Sequence, residues 1–305
     1  MSPKAAREVL VLSGPTASGK SALALALAEA WPVTILSADS RQVYRGFDIG
    51  TAKPTQEERA RVPHRLIDVA DPDDRYTAAQ WAADAKTCLE EAWSAGRLPV
   101  ITGGTGFWIR ALLGGMPIAP VPPDTEMRDR LMAMPDLHAR LAEVDPVSAR
   151  ALHPNDRFRL ARALEIALVT GKPRGATPAP SHDWRVLHLT LVPDRTRLRE
   201  AIERRTAAMN EAGWGAEVQA LIDRHGSDLP LLETLGYREW RDVLVHGRDA
   251  AEAHASIVVR TSQFARRQAS WFRHEPDAVP LSAEPDDSRQ MLVRRIITMC
   301  EAWRA

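Results

Sequence analysis

The stretch GPTASGKS, Gly14–Ser21, has the spacing G-x-x-x-x-G-K-[ST], and its flanks decide the fold. The apolar run Val9-Leu10-Val11-Leu12 before it predicts a buried strand. The Ala/Leu-rich run Ser21–Ala30 after it predicts a helix. Between a strand and a helix, such a loop turns its N–H groups and the helix N-terminus toward an anion. Gly14, Pro15, Thr16, Ala17, Ser18, Gly19, Lys20 and Ser21 are therefore a candidate phosphate cradle. Lys20 supplies a point charge, and the Ser21 hydroxyl can reach a Mg²⁺ ion. Whose phosphates the loop holds, and which bond breaks there, is left open by the loop itself.

Outward from the cradle, strand-like and helix-like runs alternate. VTILSADS (33–40) is an apolar strand ending in polar residues, and HRLIDVADP (64–72) carries a short strand. YTAAQWAADAKTCLEEAWSAG (76–96) is a helix with a glycine stop, and LPVITGGTG (98–106) a strand with a glycine exit. This alternation predicts an α/β fold, a P-loop NTPase-like parallel sheet core with ligands at the carboxyl ends of its strands. The texture changes at Gly114-Gly115. MPIAPVPPD (116–124) reads as a proline-rich linker, and residues 125–170 are helical with breaks at Pro135, Pro146 and Pro154. GKPRGATPAPSHD (171–183) reads as a second linker, after which WRVLHLTLVP (184–193) resumes the sheet. The expected organisation is a core over 1–115 and 184–305 with an inserted small helical domain over 116–183. From Arg195 onward the remainder reads as helical and arginine-rich.

Composition sets outer limits. The 305 residues are 45% hydrophobic and can bury a full core. Lys and Arg balance Asp and Glu at 40 each, so any nucleic-acid surface must come from local patches. Cys88 and Cys300 stand outside any C-x-x-C pattern, which points to reduced structural thiols and a cytoplasmic setting. No zinc-ligand cluster appears, and no run approaches the ~18 apolar residues of a membrane span. A soluble protein is expected, with no membrane partner and, in the absence of repeats, a monomer.

Asp39 stands at the carboxyl end of a predicted strand, one unit after the cradle. It can bind Mg²⁺, act as a general base, or cap a helix, and spacing alone does not separate these. The strand LPVIT ends in Gly103-Gly104-Thr105-Gly106, where many P-loop NTPases carry a metal-binding acid. The glycines are read either as a tight turn or as a place of close backbone approach to a ligand, with the Thr105 hydroxyl as a donor or acceptor. Two arginine sets stand out. Arg159 and Arg162 lie three apart after a plausible Asn155/Asp156 cap. SIVVRTSQFARRQASWFRH (256–274) holds Arg260, Arg266, Arg267 and Arg273 without one acid, interleaved with Phe264, Trp271 and Phe272. Each set fits a solvated helix face or a polyanion site. His64, Trp81 and Trp93 read as structural.

Taken together, GPTASGKS, SADSRQVYRGFDIGTAKP, PHRLIDVADP, GGTGFWIRALL, HPNDRFRLARALE, GYRE and RTSQFARRQASWFR closely resemble the tRNA dimethylallyltransferases, from Val9 to about Arg273. That resemblance implies transfer of a dimethylallyl group from dimethylallyl diphosphate to the adenosine beside the anticodon of tRNA. It implies that Thr16–Ser21 hold the diphosphate with Mg²⁺ and with Arg205 nearby, and that Asp39 is the general base. Asp39, Ser40, Arg41 and Gln42 would touch the target nucleotide, and Thr105 and Arg128 would lie at tRNA-contact positions. The run Phe158, Arg159, Leu160, Ala161, Arg162 and the segment Gly236, Tyr237, Arg238 would grip the anticodon stem-loop. Phe107-Trp108 departs from the commoner Leu-Tyr. Three rivals share the cradle: a small-molecule kinase, a nucleotide-switched RNA-binding module, and a transferase acting on free adenine nucleotides.

Overall fold

The computed structural model describes residues 7–114, 121, 124–173, 182–283 and 287–304. The chain divides into two compact units, Met1–Ile109 with Asp183–Ala305, and Arg110–His182. The boundary at Arg110 falls a few residues ahead of the glycine pair. The expected linkers at 116–124 and 171–183 lie largely outside the described residues.

The larger unit is built on a six-stranded parallel sheet. Its strands are β1 (Glu8–Ser13), β2 (Val33–Ser37), β3 (His64–Arg65), β4 (Leu98–Gly103), β5 (Arg185–Pro193) and β6 (Ala278–Ala283), in the order β3-β2-β4-β1-β5-β6. The inner strands are continuous apolar runs because helices cover both faces of a parallel sheet. Val9 to Leu12 are accordingly all but inaccessible. Between β1 and β3 run α1 (Lys20–Leu27) and α2 (Gln56–Arg61), and α3 (Ala78–Ser94) and α4 (Gly106–Leu112) flank β4. Thr55 with Glu58, and Thr77 with Gln80, form capping boxes that start α2 and α3. Gly96, at φ 66°, follows the end of α3 in the left-handed region. Leu23 and Leu27 of α1 pack into the same cluster as Leu10, Ile35, Val100 and Leu189. Because β1 lies between β4 and β5, the strand order reverses there, and the crevice at its carboxyl end is the expected ligand site.

The smaller unit carries α5 (Thr125–Ala133), α6 (Leu137–Val144), α7 (Pro146–Ala151) and α8 (Arg157–Thr170). The expected break at Pro146 falls between α6 and α7, where Asp145 caps α7 and proline takes its first position. Of the plausible pair, Asp156 is the cap of α8, accepting from the Arg159 N–H. Leu131, Leu137, Leu141, Leu160 and Leu164 form the core of this unit.

The remainder holds α9 (Arg195–Glu211), α10 (Trp214–His225), α11 (Tyr237–His246), α12 (Ala250–Arg273) and α13 (Arg289–Arg304). It is not wholly helical, because β6 extends the sheet beside β5. Pro280 sits in β6, an edge strand, where a missing N–H is tolerated.

Candidate active site

At the carboxyl end of β1 the loop turns sharply, with Gly14 at φ 143°, Ala17 at φ 61° and Gly19 at φ 90°. Lys20 opens α1 with its ammonium buried, donating to the Pro15 carbonyl at 2.6 Å. Burial pushes the Lys20 pKa down to about 7, the nearby Arg205 guanidinium adds to the drop, and Asp39 opposes it. Arg205, from α9, donates to the Thr16 hydroxyl at 3.0 Å, and burial also lowers its pKa, again against Asp39. Two cations and one carboxylate thus share one electrostatic environment. Between β1 and β5, His188 contacts the Ser13 hydroxyl at 2.8 Å, and burial drops its pKa to about 4, so its imidazole is uncharged at neutral pH.

Asp39 accepts the Arg41 N–H on Oδ1 at 2.8 Å, and no helix follows it. The capping reading is therefore corrected: Asp39 closes a turn and starts no helix. Thr105 accepts the Ser40 N–H at 3.1 Å, which ties this turn to the exit of β4. Gln42 spends its whole amide inside the protein. Its oxygen accepts from Ser37 at 2.8 Å, and its nitrogen donates to Thr51 and Ala52 carbonyls at 3.1 Å each.

The glycines at the end of β4 line the cavity and also leave no room for a side chain. A Cβ on Gly103 would meet the Ala38 carbonyl oxygen at 2.1 Å, and one on Gly104 would meet the Gln268 amide nitrogen at 2.2 Å. Gln268, on α12, donates to the Gly104 carbonyl at 2.9 Å and accepts the Thr16 N–H at 2.8 Å. It locks the basic helix to the cradle. Nothing in the local sequence marks it, since it acts across 252 positions.

A single cavity of about 950 Å³ joins these parts, lined by Lys20, Ser21, Asp39, Gln42, Thr105 and Arg205 among others. Arg260 and Arg267 of α12 reach it, and Arg266 does not line it. Arg260 is paired with the buried Glu239. Phe264 lies 5.8 Å below the Arg267 guanidinium. His64 also lines the cavity, while Trp81 and Trp93 are structural, donating to the Ser37 and Glu8 carbonyls at 2.9 Å.

Several expected tRNA contacts are core residues. Leu160 and Ala161 are fully buried, and Tyr237 is fully buried with its hydroxyl on Glu217 at 2.7 Å. Gly236, at φ 88°, leaves no room for a Cβ against Trp214. Arg128 is buried too, donating to Glu165 at 2.7 and 3.1 Å under the ring of Phe158. Arg162 faces the same carboxylate at 2.8 Å. Burial pushes the Glu165 carboxyl up, but the hydrogen bonds from Arg128, the Asp124 N–H and Arg162 outweigh it and hold it below the carboxylate range. Phe158 and Arg159 remain exposed, and Arg238 is half-buried, facing Glu233 at 3.8 Å.

Residues 42–275 match the IPP transferase family, and residues 7–68 match the isopentenyl transferase family. The chain belongs to the IPP transferase family. A tRNA dimethylallyltransferase of Gloeobacter violaceus is 45% identical over 98% of this chain and 99% of its own. Its counterpart in Synechococcus is 45% identical over 97% and 87%. The crystal structure of the tRNA isopentenylpyrophosphate transferase of Bacillus halodurans superposes with TM-score 0.71 at 32% identity, covering 97% of both chains. A eukaryotic dimethylallyltransferase acting on tRNA shares the fold, with TM-score 0.83 at 24% identity over 97% of this chain and 79% of its own.

Proposed function

We infer that this protein moves a dimethylallyl group from dimethylallyl diphosphate to the exocyclic amine of the adenosine 3′-adjacent to the anticodon in tRNA, releasing diphosphate. The observation that carries this reading is the single cavity that joins the phosphate loop to the Asp39 turn. A phosphate cradle at one wall and a carboxylate at another suit a donor diphosphate and a nucleophile that must lose a proton.

In the reaction, the adenine nitrogen attacks the allyl carbon as the C–O bond to diphosphate breaks. The bonding electron pair leaves on the diphosphate oxygen, where the loop N–H groups, Lys20 and Arg205 stabilise the growing charge. The attacking amine is a poor nucleophile because its lone pair is delocalised into the ring. Asp39 takes the amine proton as the N–C bond forms. The adenine must leave its stack to reach a carboxylate that lines a cavity.

The donor set also suits Mg²⁺. Among the described residues no cluster of three His, Cys, Asp or Glu side chains could hold an ion, whereas Ser21 lines the cavity at the head of α1. Mg²⁺ typically binds through few protein oxygens with phosphates and water. When bound, it would neutralise leaving-group charge, with Ser21 as its protein ligand. No helix among the described residues is long and apolar enough to cross a membrane. A cytoplasmic monomer acting on the anticodon stem-loop completes the reading.

Incubation with dimethylallyl diphosphate labelled in the allyl group, or with ATP labelled in the γ-phosphate, tests it against bulk tRNA and AMP. Allyl label should enter tRNA with Mg²⁺ and without ATP. Phosphate transfer from ATP, label on AMP, or tRNA binding without any turnover would each overturn it.

A further inference from the structure

The wall of the cavity formed by Gly50, Thr51, Ala52 and Lys53 is held from two sides. On one side stands Glu217, on α10, far from it in sequence. Its Oε2 accepts the N–H groups of Asp48 at 3.0 Å and Ile49 at 2.6 Å. Its Oε1 accepts the Gly50 N–H at 3.2 Å and the Tyr237 hydroxyl at 2.7 Å. A carboxylate that gathers successive backbone N–H groups fixes a loop more firmly than neutral acceptors do. On the other side, Gln42 donates to the carbonyls of Thr51 and Ala52. The Asp48, Ile49 and Gly50 N–H groups are thus claimed by α10, and the Thr51 and Ala52 carbonyls by Gln42 of the turn that carries Asp39.

Packing leaves the loop no slack. Phe47 lies 4.6 Å from the Tyr237 ring, centroid to centroid, and both are fully buried. A Cβ on Gly50 would meet Trp214 at 2.2 Å and Tyr237 at 2.6 Å. Lys53 is buried as well, pairing with Asp68 at 2.6 Å.

We propose that Glu217, oriented by Tyr237, is a positioning residue of the transfer reaction: it braces the 48–52 loop against Gln42 and so fixes the Asp39–Gln42 segment. This assigns Tyr237 a role inside the protein in place of a contact with the anticodon arm. The proposal rests on the allyl-transfer reading. Displacing a reacting group by about 1 Å is enough to cost about 10²-fold in rate.

Glu217→Gln keeps the shape of the side chain but sets an amide N–H against the loop N–H groups. At saturating donor and tRNA its single-turnover rate should fall about 10- to 100-fold. Affinity for inorganic diphosphate should stay within about twofold, because no cradle residue is touched. Tyr237→Phe removes one bond of four and should lose about 3- to 10-fold. Hydrogen exchange over 47–53 should quicken in both variants. Glu217→Asp, which keeps the charge, should recover part of the rate. A role in stability alone would lower the unfolding temperature and leave the saturated rate at the parent value, and that result overturns the proposal. If Glu217→Gln does not fold, Tyr237→Phe at the parent's saturated rate overturns it equally. Failure of the parent chain to transfer any allyl group sinks the functional reading instead, and the exchange measurement then decides whether Glu217 holds the loop.

Discussion

At the level of single residues, the site is a contest between charge and burial. Lys20 is held near neutrality in the folded chain, with its pKa lowered from 10.5 to about 7. The unfolded chain therefore binds a proton that the folded one lacks between these values, so stability of the diphosphate-free protein rises with pH from about 7 to about 10.5. A diphosphate in the cradle reverses the balance by recharging the ammonium. Binding of inorganic diphosphate at pH 8.5 should take up close to one proton through Lys20, and at pH 5.5 almost none. Calorimetry in buffers of different ionisation enthalpy reads this directly, with Lys20→Met as the control for protons on the ligand. Equal uptake by the parent and Lys20→Met would place the titration elsewhere. Asp39 is the second residue to test. Asp39→Ala should slow single-turnover transfer by about 10²- to 10⁴-fold while tRNA affinity changes little. An unimpaired rate would reduce Asp39 to the turn-closing role its Oδ1 already plays.

At the level of elements, the parallel sheet was legible because buried strands are written as short apolar runs ended by polar or glycine residues. Val9 to Leu12 and Leu98 to Thr102 could be read this way, and the cradle followed from the strand and helix on either side. β6 could not, since Pro280 inside a short run argues against a strand unless its edge position is known. Gln268 and Glu217 were equally hidden, because each works through contacts that only the folded chain creates. The glycines after β4 could be seen but not interpreted until Ala38 and Gln268 stood beside them. They now make separate predictions. Gly103→Ala drives a Cβ into the backbone carbonyl of Ala38, which cannot swing aside, and should destabilise by about 3 kcal/mol. Gly104→Ala meets only the end of the Gln268 side chain, so it should cost about 1 kcal/mol of stability. It nonetheless breaks the bracket to Thr16, and should weaken diphosphate binding by more than Gly103→Ala does per unit of lost stability. Denaturant unfolding with diphosphate titration separates the two, and identical losses in both variants would remove Gln268 from the cradle.

Across the whole molecule, 40 basic and 40 acidic residues cancel, so attraction to tRNA depends on which arginines remain uncommitted. The folded chain sorts them. Arg128 and Arg162 neutralise the buried Glu165, so their first duty is to the core of the smaller unit. Arg128→Ala should cost about 3 kcal/mol, the low end for a broken buried pair because Arg162 still faces Glu165. Since the Glu165 carboxyl is held below its unfolded value, that stabilisation is present above the ordinary carboxylate range and fades as pH falls through the lowered one. Arg159 and Arg266 are exposed, with Arg159 paired to its own cap Asp156 at 3.3 Å. If each meets a tRNA phosphate, Arg159→Ala and Arg266→Ala should each reduce the slope of log affinity against log salt by roughly 0.7 to 0.9. Arg162→Ala should instead show lowered thermal stability with a smaller change in slope. Arg267 lines the cavity, so Arg267→Ala should lower the single-turnover rate at saturating tRNA as well as the affinity. Affinities at four salt concentrations, with single-turnover rates for each variant, check all of these. A parent slope retained by Arg159→Ala and Arg266→Ala would make them solvated surface, and an unchanged rate for Arg267→Ala would take that residue out of the reaction.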